Sequence, residues 1–321
     1  MKTALKILKW VGIVLLSLAV ILVILVYARR DRTFEAEYPN IKASTDSAML
    51  ERGKYLVNGP AHCTECHGDP SQMDKLLRGE EVPLSGGYEF KLPLGVIRSA
   101  NITSDPETGI GKLTDGEIAR TLRHAVGSDG RAIFDFMPYQ NVSDYDLTAI
   151  VSYIRTLPPV KNKVERMEFN FFGDAVRAFL IEPAKGDGVP PKMVVPDSTI
   201  EYGKYLARNV ANCRGCHTDR DMQTGAYIGP DFAGGPEFEG IKNQSVKLYP
   251  PNITSDPKTG KLANWTEDYF IQRFRKGRLV AESPMPWSPF SRMSDLELKA
   301  LFRYLKTVTP VENIAGPKKD G

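Results

Sequence analysis

Two hydrophobic patterns divide this chain of 321 residues. An uncharged run of 19 residues, Trp10–Ala28, lies near its start and approaches the ~20 residues that an α-helix needs to cross a bilayer. After residue 46, apolar residues recur at the three- and four-residue spacing of amphipathic helices. Between these segments, 68–113 and 218–264 are rich in glycine and proline and show little strand alternation. The pattern predicts an all-α fold with long loops and one N-terminal transmembrane helix.

The apolar run has a rival interpretation as a cleaved signal peptide. Its apolar core is longer than the ~7–15 residues usual for such signals, and no A-x-A-like cleavage site follows it. Three lysines precede the run and Arg29, Arg30 and Arg32 follow it, so charge alone does not set its orientation. We therefore expect an uncleaved membrane anchor.

The chain repeats itself at an offset of about 150 residues. The sequence Gly-Lys-Tyr-Leu at 53–56 returns at 203–206, and Asn-Ile-Thr-Ser-Asp-Pro at 101–106 returns at 252–257. Other landmarks recur in the same order with small changes of length between them. A repeat this long indicates a duplicated domain rather than a solenoid.

The repeat and the composition between its copies predict the domain boundaries. Prolines and glycines after the first copy indicate an extended connector, in which the apolar stretch 169–181 is expected to form a short helix. The predicted parts are 1–28 for the cytoplasmic tip and anchor, 29–45 for a linker, 46–160 for the first domain, 161–196 for the connector, 197–311 for the second domain and 312–321 for a tail.

Capping residues mark where the predicted helices begin. Thr114 and Glu117 have the spacing of a capping box ahead of an apolar stripe. Ser143 and Ser294 stand at matching positions before the last helix of each copy. The loops between the helices are so long that something must order them.

Composition excludes one class of partner and draws attention to the cysteines. Charged residues make up 25% of the chain and the net charge is +3, an excess too small to indicate nucleic-acid binding. The four cysteines form two C-x-x-C pairs, each followed at once by a histidine. These residues are Cys63, Cys66 and His67 in the first copy and Cys213, Cys216 and His217 in the second.

The C-x-x-C-H spacing is that of haem c attachment. Two thiols add across the two vinyl groups of one haem, and the adjacent histidine faces the iron as its proximal ligand. A zinc ribbon would space its pairs by ~15–20 residues, and a thioredoxin-like dithiol would need a βαβ setting. A structural disulfide would leave both histidines unexplained. We predict two covalently attached haems, one in each copy.

The second axial ligand decides between an electron carrier and a catalyst. Met137 and Met285 occupy equivalent positions of the repeat, each followed by proline and an aromatic residue. Methionine opposite His67 or His217 would close the iron and raise its reduction potential. His124 is a rival ligand in the first copy, although the second copy has lysine at the matching position.

Further matched residues are candidates for contacts with haem propionates or the haem edge. Arginine suits bidentate contact with a carboxylate, whereas asparagine and threonine can equally stabilise a loop turn. The candidates are Tyr55, Asn101, Thr103 and Arg123 in the first copy and Tyr205, Asn252, Thr254 and Arg275 in the second.

These features resemble class I cytochrome c domains, and more narrowly the tandem domains in cytochrome c subunits of membrane-bound alcohol and gluconate dehydrogenases. The resemblance lies in the C-x-x-C-H motifs, the Asn-Ile-Thr-Ser-Asp-Pro stretches and the Met-Pro-aromatic segments, and it covers about 46–160 and 197–311. It implies histidine–methionine haem c in each domain and electron transfer outside the cytoplasmic membrane. Those subunits usually carry three haem domains, whereas this chain has two C-x-x-C-H motifs.

The resemblance implies a single-pass protein of the bacterial inner membrane with its haem domains on the periplasmic side. We expect a dihaem electron carrier that is not itself an enzyme and takes no small-molecule substrate. Its redox partners would be a dehydrogenase subunit, a terminal oxidase or another cytochrome. The alternatives are a dihaem peroxidase with one open haem and a docking subunit inside a larger respiratory complex.

Overall fold

The computed structural model describes residues 2–165, 167–221, 225–314 and 316, so the predicted tail lies largely outside the described residues. Helices dominate, as predicted. They are α1 Lys2–Arg29, α2 Ser47–Asn58, α3 Cys63–His67, α4 Met73–Arg78, α5 Asp115–His124, α6 Asp144–Arg155, α7 Phe171–Phe179, α8 Ile200–Tyr205 with a π-helical turn at Leu206–Val210, α9 Cys213–His217, α10 Glu267–Arg275, α11 Trp287–Phe290 and α12 Asp295–Thr307.

The first helix extends away from the rest of the molecule. Among the described residues, α1 is the one helix that is long and apolar enough to cross a membrane. Most of its side chains are exposed, and Val26 in its last turns is fully buried. The exposed apolar surface is therefore continuous over most of the helix and ends near Arg29.

In each copy, the first helix crosses the last at very short range. Helix α2 packs against α6, and α8 packs against α12. A side chain at Gly53 would overlap the carbonyl oxygen of Ala149, and one at Gly203 would overlap that of Ala300. Glycine removes the Cβ that would hold the backbones apart. The repeated Gly-Lys-Tyr-Leu sequence is thus the signature of this crossing.

The long loops contain short strands that the sequence pattern did not predict, so the fold is helix-rich rather than purely α-helical. An antiparallel sheet joins β1 (Glu89–Leu92), β2 (Gly95–Arg98) and β3 (Glu168–Phe169), and a second joins β4 (Phe238–Glu239) to β5 (Lys247–Leu248). Each strand has four residues or fewer. Segments this short give no period-two signal above the noise of a loop.

The predicted caps are confirmed. Thr114 and Glu117 form a complete capping box at the start of α5. The Ser143 hydroxyl accepts the N–H of Asp146 at 3.1 Å, and the Ser294 hydroxyl accepts that of Glu297 at 3.2 Å. These caps satisfy N–H groups that the first turn of a helix leaves without partners.

A pair of tyrosines interlocks the two copies. The Tyr205 hydroxyl donates to Asp146 at 2.7 Å, and the Tyr55 hydroxyl donates to Glu297. Both acceptors are the third residue of a last helix, and both are buried. Each tyrosine also accepts the backbone N–H of the capping serine of that helix, at 3.1 Å for Ser143 and 3.2 Å for Ser294. The tyrosine of one copy therefore completes the helix cap of the other.

One arginine lies between the two buried carboxylates. The Arg52 guanidinium contacts Asp146 through two nitrogens, at 2.9 and 3.2 Å, and lies 3.9 Å from Glu297. Burial lowers and Asp146 raises the Arg52 pKa, which is raised overall. The repeat places Tyr202 at the corresponding position, and its hydroxyl donates to Glu297 at 3.0 Å. One cation and three tyrosine hydroxyls thus accompany two buried carboxylates.

Candidate haem sites

The two C-x-x-C-H motifs form equivalent five-residue helices. Each follows a residue in the left-handed region, His62 with φ of 41° before α3 and Asn212 with φ of 50° before α9. That turn reverses the chain so that a short helix can begin at the first cysteine. No disulfide joins any of these four cysteines, and burial raises the pKa values of their thiols to about 11 or 12.

Both motif histidines have the same ring orientation. The Nδ1 atom of His67 lies 2.7 Å from the carbonyl oxygen of Ala100, and that of His217 lies 2.8 Å from Pro251. A carbonyl oxygen can only accept, so Nδ1 carries the hydrogen and Nε2 keeps its lone pair. Burial lowers the pKa of both imidazoles, which favours the neutral form. A neutral ring with free Nε2 and an anchored Nδ1–H is the usual state of a metal-binding histidine.

The repeated Asn-Ile-Thr loop holds those carbonyl groups in place. The Asn101 side chain accepts the N–H of Thr103 at 3.0 Å and donates to Val160 at 2.8 Å. In the second copy, Asn252 accepts from Thr254 at 2.9 Å and donates to Val311 at 2.7 Å. The loop is thus fastened to the segment after the last helix.

In the structure, these asparagines and threonines stabilise the loop. The sequence had left this role open beside contact with haem. All four are buried. Because each asparagine directly follows the residue whose carbonyl contacts a histidine, the loop sets the orientation of the imidazole. A direct contact with haem remains a prediction for these four residues.

The two matched arginines fasten the segment that follows each methionine. Arg123 donates to the carbonyl oxygens of Gln140, at 3.0 Å, and Val142, and it pairs with Asp144 at 2.8 Å. Arg275 makes equivalent contacts, with Ser291 at 2.6 Å, with Met293 at 2.7 Å and with Asp295. Both guanidinium groups thus have partners within the protein, and a contact with a haem propionate stays a prediction for both arginines. Tyr55 and Tyr205 likewise direct their hydroxyls to the other copy.

The two methionines lie at the edge of the core. Met137 and Met285 are partly buried and pack against the same core as Cys63 and Cys213. In the first copy, the Tyr139 hydroxyl donates to Ala61 at 2.6 Å, two residues before the first cysteine. This bond ties the methionine segment to the haem-attachment helix.

The second methionine segment is held differently. The Trp287 indole N–H donates to the Ser283 hydroxyl at 3.2 Å, and the Trp287 backbone N–H donates to Met285 at 2.7 Å. In the second copy, bonds within the methionine segment thus take the place of the bond that Tyr139 makes to Ala61 in the first copy. The predicted rival His124 ends α5 half-buried, and burial lowers its pKa.

Two charged residues missed by the sequence reasoning have buried atoms without partners. One carboxylate oxygen of Glu65, inside the first motif, is buried with no hydrogen-bond partner, as are Nε and Nη2 of Arg278. Burial raises the pKa of Glu65 to about 7 while Arg278 opposes the rise. Unsatisfied buried donors are costly, and haem propionates would satisfy the Arg278 nitrogens. The residues present therefore fit haem.

The electrostatics also place the motifs near one another. The pKa of Cys66 is raised first by burial and then by neighbouring groups that include Glu65 and Cys216. Arg278 belongs to the second copy and influences Glu65 of the first. The sequence repeat could not reveal this proximity, because Glu65 and Arg278 do not occupy matching positions of the repeat. Their interaction depends on how the two copies pack together.

Comparison with known proteins identifies similar chains. No protein-family profile matches this sequence. The cytochrome c subunit of a quinone alcohol dehydrogenase from Gluconacetobacter polyoxogenes is 29% identical over 284 residues, covering 83% of this chain and 57% of that protein. The gluconate 2-dehydrogenase cytochrome c subunit of Pantoea cypripedii is 25% identical, covering 82% and 60%.

A shorter relative matches along most of its own length. The diheme cytochrome c-type protein of Cereibacter sphaeroides is 25% identical over 273 residues, covering 78% of this chain and 83% of that protein. Against the two dehydrogenase subunits, this chain spans less than two thirds of their length. The resemblance to cytochrome c subunits of alcohol and gluconate dehydrogenases, inferred from the sequence, is thereby confirmed.

Proposed function

We propose that this chain is a membrane-anchored dihaem cytochrome c that carries electrons between redox proteins on the periplasmic side of the inner membrane. The observation that carries the proposal is the duplicated histidine arrangement. His67 and His217 both donate Nδ1–H to a backbone carbonyl, at 2.7 and 2.8 Å, which leaves Nε2 free for iron.

Two domains, 46–160 and 197–311, would each hold one haem. Cys63 and Cys66 would bind the first haem covalently, and Cys213 and Cys216 the second. When bound, haem c supplies a reversible iron(III)/iron(II) couple. The axial pairs would be His67 with Met137 and His217 with Met285, a ligand set that leaves no open position for a substrate.

The packing between copies supports transfer of electrons from one site to the other. Arg220, three residues after His217, pairs with Asp135, two residues before Met137. In the opposite direction, Arg292 donates to the Asn58 carbonyl oxygen at 3.1 Å. Each copy therefore contacts the methionine or attachment region of the other, which holds the two sites in a fixed relation.

Helix α1 would keep the carrier at the membrane, where its partners are concentrated. Its orientation, with residues 29–321 in the periplasm, follows from the attachment of haem c outside the cytoplasm in the resembling proteins. A dehydrogenase subunit is the proposed electron donor, since two relatives are named as cytochrome c subunits of dehydrogenases. A terminal oxidase or another cytochrome would be the acceptor.

Haem counting tests the proposal. The wild-type protein and two double variants, Cys63→Ala/Cys66→Ala and Cys213→Ala/Cys216→Ala, would be analysed by intact mass and by pyridine haemochrome absorbance. We expect two covalent haems in the wild type and one in each variant. A wild-type protein without covalent haem, or a variant that keeps both haems, would contradict the proposal. Met293→Leu, a buried core methionine, is the control that keeps both.

A further inference from the structure

One face of α7 exposes only apolar side chains to solvent. Phe172 is 72% exposed, Phe179 is 42% exposed, and Leu180, directly after the helix, is 55% exposed. Val176 and Phe179 fall on the same side, because positions four and seven residues after Phe172 share its helix face. Helices that face water carry charged or polar residues on their outer side. An uncharged outer face therefore indicates a neighbour other than water.

The two charged residues of α7 turn towards the end of α1 instead. Asp174 is buried, and its Oδ2 lies 3.0 Å from Nη1 of Arg30. Nη2 of Arg177 lies 2.9 Å from Oδ1 of Asp31. These ion pairs fix the rotation of α7, so that its apolar side faces outwards.

The same pairs fix the position of α7 along α1. Arg30 and Asp31 lie two and three residues after Ala28, where the apolar run ends. At 1.5 Å per residue, that run of 19 residues is ~28 Å long, close to the ~30 Å hydrocarbon core of a bilayer. If α1 spans the membrane, α7 lies at the height of the lipid headgroups.

Helix α7 also packs closely against the first copy. A side chain at Gly173 would overlap the carbonyl oxygen of Leu94, in the turn between β1 and β2. The Asn170 side chain caps α7 by accepting the N–H of Gly173 at 2.9 Å and donates to Pro93 at 2.8 Å. Helix α7 is therefore held rigidly against the first copy.

We propose that α7 is an interfacial helix that inserts its apolar face into the lipid surface beside the anchor. The occupant is lipid because α7 packs against α1, whose apolar side chains are exposed, and because both charged residues of α7 turn away from this face. Helices of this kind bury their apolar face by ~5–10 Å at the boundary of headgroups and acyl chains. The inference rests on the anchor proposed above and adds a second lipid contact that fixes the tilt of the first copy.

Spin labels on the full-length haem-loaded protein in phospholipid nanodiscs test this. Single cysteines would replace Phe172, Leu15 in α1 and Val189, a connector residue that is 95% exposed. Collisions with oxygen report lipid, and collisions with a water-soluble nickel chelate report water. An unchanged haem spectrum shows that each variant is folded.

We expect the label at 172 to favour oxygen over nickel, as the label at 15 does, and the label at 189 to show the reverse. A label at 172 that collides with nickel as readily as the one at 189 would overturn the inference. The label at 15 tests the anchor separately: an aqueous environment there would overturn the anchor, whereas the label at 172 decides the position of α7 in either case.

Discussion

The two copies match closely around the histidines and differ where they meet. In each copy, a ring N–H contacts the carbonyl just before the Asn-Ile-Thr loop, and the asparagine fastens that loop with bonds that differ by about 0.1 Å between copies. At the interface, Arg52 corresponds to Tyr202, and one cation contacts carboxylates from both copies.

The role of each contact explains why the histidine loops match while the contact between the copies does not. A loop that orients an imidazole is needed once for every haem, so its contacts are duplicated. Arg52 lies against a carboxylate from each copy, and a second arginine at position 202 would place two buried cations side by side. Duplication therefore preserves what lies inside a copy and permits divergence at the contact between copies.

The largest expected effect is the opening of one haem. Met137→Ala and Met285→Ala should each convert one closed haem to an open one, because the axial ligand is removed. Carbon monoxide should then bind to half of the haem, and the reduction potential of that half should fall. Unchanged spectra and potentials in both variants would show that the ligands are other residues, with His124 the first candidate in the first copy.

The next effect concerns the helix crossings. Gly53→Ala and Gly203→Ala should each lower the free energy of unfolding by about 4 kcal/mol or more, since the new Cβ overlaps a backbone oxygen. Urea unfolding of the haem-loaded protein would measure it. Gly116→Ala in α5 is the matched control, because its Cβ would meet its nearest atom at 3.5 Å. Equal stability of Gly53→Ala and the control would refute close crossing in the first copy.

Substitutions of Arg52 and Tyr202, which occupy matching positions at the contact between the two copies, should differ in their effect on stability. Arg52→Met leaves Asp146 buried without its cation and should cost about 3 kcal/mol in the free energy of unfolding. Tyr202→Phe removes one hydrogen bond to Glu297 and should cost about 1 kcal/mol. Similar costs for the two substitutions, measured by urea unfolding, would mean that the copies contribute equally to the interface.

A more local effect tests the equivalence of the loops. Asn101→Ala and Asn252→Ala should each cost about 1–3 kcal/mol, because buried backbone groups lose a partner. They should also broaden the histidine signals of their own haem in paramagnetic NMR, since the carbonyl that orients the ring is loosened. A stability loss without any change at the histidine would restrict these asparagines to loop structure.

Much of this arrangement could be predicted from the sequence because repeated residues mark repeated tasks. The capping sequences of Thr114, Ser143 and Ser294 predict helix starts that the structure confirms. The short helix expected within 169–181 is present as α7. These signals are local, so a single sequence carries them.

What could not be predicted depends on contacts distant in the sequence. The bonds from Arg123 and Arg275 to backbone carbonyls could not be predicted, because only the folded chain brings those carbonyls close. Their contact with haem propionates stays a prediction. The hydroxyls of Tyr55 and Tyr205 bond to helix starts of the other copy, which the sequence could not show. A contact of these residues with the haem edge stays a prediction. Matched positions thus report a shared role without revealing which partner fulfils it.

Carbon monoxide binding to the purified wild-type protein, in the half-reduced and fully reduced states, tests the central claim most directly. If Met137 and Met285 close both irons, neither state shows a spectral shift, and the protein is an electron carrier. A shift equal to one haem in either state would show an open iron, which would contradict the account and favour a dihaem peroxidase.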